Sequence, residues 1–249
     1  MRVPSDWHVT FFSGLAMDMW SAGFGAEESA LDVDFLVEEF GLAPGAHVLD
    51  AACGNGRHLR EFAACGIRAT GIDVAAGFVE PLAREFARSP LVTVVHGDLR
   101  DAPLGGPYDA ALWWGNGFGY LARSEDAAVL RRIGAALRPG ARFALQTALV
   151  AEAALPNFAE RHWERAGGIE LLMDCAYVSA ESRIDATYTY RTAERSETRK
   201  LSLFVYTLAE IGALLGAAGM HVGAVLGSID GTAFELGDRE AILIAEKIR

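Results

Sequence analysis

Val48-Leu49-Asp50-Ala51-Ala52-Cys53-Gly54-Asn55-Gly56 is the stretch on which the reading of this chain turns. Its first residues form a short apolar run with the length of a buried strand. Two closely spaced glycines then lead into a helical stretch ending near Gly66. Glycine lets the backbone turn sharply and approach a ligand with no Cβ in the way, and the free N–H groups of a following helix attract an anion. The segment predicts strand, tight turn and helix, with a carboxylate or phosphate at the turn. A dinucleotide fingerprint needs a third small residue three places beyond Gly56, and Leu59 stands there instead.

Outward from this stretch the rhythm continues. Upstream, a helix is predicted from residue 27, with Glu27 and Glu28 in its first turn, Leu31, Phe35 and Leu36 on an apolar face, and a stop at Gly41. Downstream, strands are predicted at 68–73, 92–96, 108–114 and 142–147. Helices fall between them at 78–88 and around Leu130 and Ile133. Alternating strands and helices imply a doubly wound, mostly parallel α/β sheet. After Val150 the period drops to two: Leu171, Met173, Cys175 and Tyr177, then Ile184, Ala186, Tyr188 and Tyr190, then Leu201, Leu203 and Val205. These predict an inserted antiparallel lid of three strands. Thr207-Leu208-Ala209-Glu210 is a capping box that restarts the core, and 221–226 with 241–246 form a closing hairpin, giving seven core strands with an antiparallel last one. The expected division is 1–45 as N-terminal cap helices, 46–150 with 207–249 as the core, and 151–206 as the lid.

Composition narrows the function. A net charge of −11 and the absence of any Lys/Arg run argue against a nucleic-acid partner. Three cysteines, Cys53, Cys65 and Cys175, lack zinc-ligand spacing and suit a reducing cytoplasm. Neither a signal peptide nor a membrane span is legible, so the expected location is cytoplasmic.

The residues quoted so far resemble the class I S-adenosylmethionine-dependent methyltransferases. That family's first motif, an acid followed by x-x-x-Gly-x-Gly, corresponds to Asp50, Gly54 and Gly56. Gly71-Ile72-Asp73 resembles the acidic end of strand two that binds ribose hydroxyls. Gly97-Asp98-Leu99-Arg100 resembles the turn where an acid meets the adenine amino group. Tyr108-Asp109-Ala110 through Asn116 resembles the segment beside the transferring methyl, and Leu137-Arg138-Pro139-Gly140-Ala141 the turn into strand five. The resemblance implies a Rossmann-like methyltransferase with S-adenosylmethionine as cofactor. It implies a donor site at Asp50, Ala51, Cys53, Gly54, Asn55, Gly56, Asp73, Val74, Asp98, Leu99, Arg100, Trp114, Gly115 and Asn116.

Within the family, the N-terminal Phe11-Phe12-Ser13-Gly14 helix and the inserted strands look most like small-molecule enzymes such as amino-sugar and glycine-type N-methyltransferases. The segment after strand four, Gly115-Asn116-Gly117-Phe118, lacks the Asn/Asp-Pro-Pro-aromatic signature for planar amino groups. No cysteine there suits covalent attack, and no carboxylate cluster suggests a metal. What remains is transfer to an N, O, S or C atom of a small molecule. Asn116, Tyr120 and His162 are the catalytic candidates; Phe12, Trp20, Trp163, Tyr188, Tyr190 and Arg191 are the substrate-binding ones. Cys53 also reads as a space-filler behind the turn and His58 as a solvated surface histidine. A nicotinamide-dependent oxidoreductase and a donor-binding protein without methyltransferase activity are the alternatives, and a homodimer stays open.

Overall fold

The structure, a computed structural model, describes residues 3–248. Three helices come first: α1 (Trp7–Phe11), α2 (Gly14–Ala22) and α3 (Ala26–Phe40). Phe11-Phe12-Ser13-Gly14 is not one helix as expected. Ser13 is extended and Gly14 sits at φ +54°, so the chain breaks between α1 and α2. Helix α3 ends on Gly41 in the left-handed conformation, a glycine C-cap.

The core strands and helices then alternate as β1 (His47–Ala51), α4 (Arg57–Ala64), β2 (Arg68–Asp73), α5 (Ala76–Glu85), β3 (Val92–His96), β4 (Tyr108–Trp113), α6 (Arg123–Ala136) and β5 (Leu137–Thr147). A short helix, α7 (Ala151–Ala154), leads into four strands: β6 (Arg161–Ala166), β7 (Ile169–Val178), β8 (Arg183–Arg191) and β9 (Ser196–Phe204). The chain returns through α8 (Leu208–Ala217), β10 (Met220–Leu226) and β11 (Ala241–Lys247). Thr207 caps α8, accepting from the Glu210 backbone N–H. Among the described residues no helix is long and apolar enough to cross a membrane.

The main sheet has seven strands in the order β10-β11-β5-β4-β1-β2-β3, with β11 antiparallel to both neighbours. Both faces are buried, so successive residues of each strand serve opposite layers. Leu49, Ala111, Trp113, Phe143 and Leu243 pack toward Leu130 and Ile133 of α6 and Ile211 and Leu215 of α8. Val48, Leu112, Trp114, Ala144 and Ile244 pack toward Val33 and Leu36 of α3 and Leu59 and Phe62 of α4. Trp113 and Trp114 thus point to opposite sides. Chain order reverses at β1, with β2 on one side and β4 on the other, and this is where an open α/β sheet leaves a crevice.

The second sheet, β6-β7-β8-β9, is antiparallel and has four strands rather than the expected three. Strand β6 reads Arg-His-Trp-Glu-Arg-Ala; it lies at the sheet edge, so neither of its faces needs an apolar row. The period-two residues of the other strands do share one face. Leu171, Met173, Ile184, Ala186, Tyr190, Leu201 and Leu203 pack against Trp7, Phe11, Leu15 and Met19 of α1 and α2. The insertion is closed at its base: Val150 bridges Tyr206, Ala151 N–H donates to Tyr206 O (2.6 Å), and Tyr206 N–H donates to Leu149 O (2.9 Å).

Candidate active site

Register brings the ends of β1, β2 and β4 level, Ala51 lying opposite both Ile72 and Trp113. Beyond β1 the chain turns through Ala52 at φ +63°, Gly54 at +54° and Gly56 at +75°. For Ala52 that conformation costs about 1–2 kcal/mol, which its neighbours must offset. The turn is fixed by Cys53 N–H to Ile72 O (3.0 Å) and Gly56 N–H to Cys53 O (2.9 Å). Asp73, closing β2, accepts from Gly54 N–H on one oxygen (2.9 Å) and from Ala75 N–H on the other (2.8 Å). Burial raises its pKa, against those two hydrogen bonds.

This crevice is a cavity lined by Ala52, Gly54, Asp73, Val74, Asp98, Leu99, Trp113, Trp114 and Gly115. His8, Phe12 and Trp20 from the N-terminal helices and Phe78 from α5 complete it. The indole N–H groups of Trp113 and Trp114 are buried and have no hydrogen-bond partner among the described residues. The loop after β4 is held from β5: Gly115 N–H donates to Gln146 Oε1 (2.9 Å), and Ala148 N–H donates to Asn116 Oδ1 (2.5 Å).

Behind the glycine turn lies a buried charge cluster. Arg57 Nη1 is 2.6 Å from Asp32 Oδ2, and His58 Nε2 is 3.3 Å from the same oxygen. His58 Nδ1 is 3.6 Å from Asp50 Oδ2. Burial opposes the imidazolium, but the bonds to Asp32 and Asp50 outweigh it and raise the His58 pKa. His58 is therefore not the solvated histidine the sequence suggested. The same cluster explains α3: its buried stripe is Ser29, Asp32, Val33 and Leu36, while Leu31 is 53% exposed, because Asp32 turns inward to meet Arg57 and His58.

A second cavity, of about 500 Å³, opens beside the first. Its walls are Phe11, Phe12, Met19 and Trp20 from the N-terminal helices and Leu171, Met173, Tyr188, Tyr190, Leu201 and Leu203 from the second sheet. Asn116 lies on its core side and His162 with Glu164 on its outer side. Phe12, Trp20 and Tyr120 line both cavities. Tyr120 packs on Trp7 (4.9 Å between centroids), and burial pushes its hydroxyl up to about 12.

The structure brings some of the expected donor residues together and leaves others aside. Gly54, Asp73, Val74, Asp98, Leu99, Trp114 and Gly115 line the first cavity. Asp50, Ala51, Cys53, Asn55 and Gly56 do not: Asp50 faces His58, Cys53 packs against Gly71, and the Asn55 carbonyl accepts from Arg60. Arg100 turns away to grip Asp98 (2.8 Å) and Glu125 (3.0 Å). Burial opposes ionisation of Asp98, yet the Arg100 and His8 contacts hold it at about 2. Asn116 belongs to the second cavity.

Of the substrate candidates, Phe12, Trp20, Tyr188 and Tyr190 line the second cavity, while Trp163 and Arg191 do not. Trp163 neighbours His162 in sequence, but side chains alternate along a strand, so it emerges 66% exposed on the outer face with Arg191. Sequence reasoning missed His8, Phe78, Gln146 and Glu164, which reach the site from distant segments. None carries a local motif.

A methyltransferase-domain family model matches residues 48–140. The chain is 28% identical to the cypemycin N-terminal methyltransferase of a Streptomyces species, over 82% of this chain and 84% of that one. It is also 28% identical to the dTDP-3-amino-3,6-dideoxy-alpha-D-glucopyranose N,N-dimethyltransferase of Streptomyces fradiae, over 71% of each. In fold it resembles the CcbJ methyltransferase of Streptomyces caelestis, with a TM-score of 0.81, 18% identity and coverage of 97% of this chain and 99% of that one. With the glycine turn, the strand-two acid and the seven-stranded order all in place, residues 48–140 match a methyltransferase domain, and the chain as a whole is similar in sequence to N-methyltransferases and has a methyltransferase-like fold.

Proposed function

We propose that this enzyme transfers the methyl group to a nitrogen of a small molecule seated in the second cavity. The shared wall carries this reading: Phe12, Trp20 and Tyr120 border both cavities, so donor and acceptor meet there. The cypemycin and amino-sugar relatives are named for N-methylation, which supports nitrogen as the accepting atom.

The residues present fit the donor. Each Asp73 oxygen already accepts one backbone N–H and keeps a lone pair for a ribose hydroxyl. Gly54 and Gly115, at φ +54° and +79°, bring bare backbone to the cavity. Val74, Asp98 and Leu99 take the adenine side. When bound, the donor supplies a methyl group already activated by its sulfonium. The remaining task is alignment and exclusion of water, and the aromatic walls perform it. Tyr120 stays protonated at neutral pH, so it orients the acceptor by hydrogen bonding and does not act as a base. Asn116 fixes the loop that carries Tyr120 through its bond to Ala148. His162 stands at the solvent end of the second cavity, where it contacts the acceptor's far side.

The test is calorimetry with S-adenosylhomocysteine, followed by transfer from labelled donor to panels of small amines, phenols and thiols. Product-nucleoside binding and label on amines are expected. Label confined to phenols or thiols overturns the nitrogen assignment.

A further inference from the structure

The ionisable side chains on the second cavity, apart from its tyrosines, are His162, Glu164 and Arg165, and of the two fully charged ones only Arg165 is paired, with Glu170, leaving the Glu164 carboxylate free. Strand alternation puts His162 and Glu164 of β6 on the inner face. The register then runs from Glu164 across Leu171 to Tyr190, and from His162 across Met173 to Tyr188. Glu164 and Tyr120 both act electrostatically on Tyr188 and Tyr190. The two tyrosines thus stand between Glu164 at the rim and Tyr120 where the cavities join. The nearby cations are already engaged. Arg165 pairs with Glu170 and lies over the outward-facing Trp163 (5.9 Å). Arg199 pairs with Glu197 (2.9 Å), and Arg195 with Asp18 (3.3 Å). Among the described residues, Glu164 and the hydroxyls of Tyr120, Tyr188 and Tyr190 have no hydrogen-bond or ion-pair partner.

A free carboxylate, phenol oxygens and aromatic faces attract a cation, while among the described residues lining this cavity the one guanidinium, Arg165, is paired with Glu170. Resting on the methyltransferase reading of this site, we propose that the acceptor is a lipophilic amine recognised as its ammonium. Its apolar body lies against Phe11, Met19 and Leu201, and its charge is met by Glu164 with Tyr188 and Tyr190. Amines linked to a phosphate or diphosphate are excluded. The balance of the reaction suits such a cavity. The ammonium first gives one proton to water at the open rim. The freed nitrogen lone pair then forms the N–C bond while the C–S pair stays on sulfur, so the donor's positive charge ends on the acceptor. Charge therefore develops at the junction, where the aromatic π faces and phenol oxygens stabilise it at contact and the Glu164 carboxylate acts on it from the rim.

Binding, without turnover, tests this. Calorimetry on the full chain, with and without S-adenosylhomocysteine, compares 2-phenylethylamine and benzyltrimethylammonium with 3-phenylpropionate and thymidine diphosphate. The two cations are expected to bind at least about tenfold more tightly than either anion. Glu164→Gln should abolish most of that preference while leaving S-adenosylhomocysteine affinity unchanged. Equal or tighter binding of an anion, failure of both cations to bind at millimolar concentration, or an intact preference in Glu164→Gln overturns the proposal. Loss of S-adenosylhomocysteine binding by the wild type would instead strike the methyltransferase reading, and the two failures are read separately.

Discussion

The crevice at the ends of β1, β2 and β4 and the cavity under β6–β9 meet at Tyr120, yet they are made from different materials. The crevice combines backbone reached through positive-φ turns at Gly54 and Gly115 with two carboxylates, Asp73 held by two peptide N–H groups and Asp98 by Arg100, under an aromatic wall. The cavity offers chiefly side chains, most of them brought by two helices from the start of the chain and a sheet from its middle, with Asn116, Ala148 and Leu149 on its core side. Backbone geometry tolerates little change and suits a ligand that never varies. A wall of side chains can be rewritten residue by residue, which suits an acceptor that differs from enzyme to enzyme.

Substitutions at the two ends should part accordingly. The largest effect is expected behind the glycine turn. Asp32→Ala strands Arg57 and His58 in a buried site, and urea unfolding should show a loss of about 3–5 kcal/mol. A loss near zero would mean the cluster does not brace the turn. Next is Asp126, fully buried on α6, which accepts from the Tyr206 hydroxyl (2.8 Å) and which burial raises to about 7. The folded chain holds a proton there that the unfolded chain releases near 3.8, so stability should fall as pH rises through the interval between those values. Unfolding at several pH values should show a decline of a few kcal/mol on the order set by that shift, flattened in Asp126→Asn.

Asp73→Ala should weaken S-adenosylhomocysteine about tenfold to a hundredfold in calorimetry, with acceptor binding little changed. Tyr188→Ala should do the reverse, raising the acceptor KM by about tenfold while donor affinity stays within about twofold. If Tyr188→Ala weakened the donor instead, the contrast between the two ends would collapse. Smallest of all, Trp163→Ala should change stability by no more than about 0.5 kcal/mol and leave both ligands alone, since its ring faces solvent. A raised acceptor KM in that variant would place the acceptor on the outer face.

Legibility in the sequence follows the same division. Asp73 ends its strand, and Gly54, Val74, Asp98 and Gly115 stand in the turns just beyond strand ends of a contiguous repeating unit, so local pattern places them. The strands β1 to β5 and the β10–β11 hairpin were equally readable from runs of apolar residues. Strand β6 was not, because an edge strand with polar residues on both faces leaves no hydrophobic alternation to detect. That Trp163 and Arg191 lie outside the second cavity was not legible without the β6 and β8 register, which decides the face of every side chain at once. Leu31 and His58 misled because their environment depends on a pairing of Asp32 with Arg57 that spans two helices. No periodicity encodes such a pair.

The bridge between Val150 and Tyr206 has a consequence for how such a chain diverges. The two strands of backbone that leave and rejoin the core lie hydrogen-bonded side by side, so the segment between them begins and ends at one point in space. Closing a loop of that kind costs entropy that rises only with the logarithm of its length, by about 0.6 kcal/mol for each doubling. The core sheet therefore registers little of what hangs from that point. A sheet of another size or sequence, grafted at the same two residues, would present a new acceptor chamber to an unaltered donor crevice.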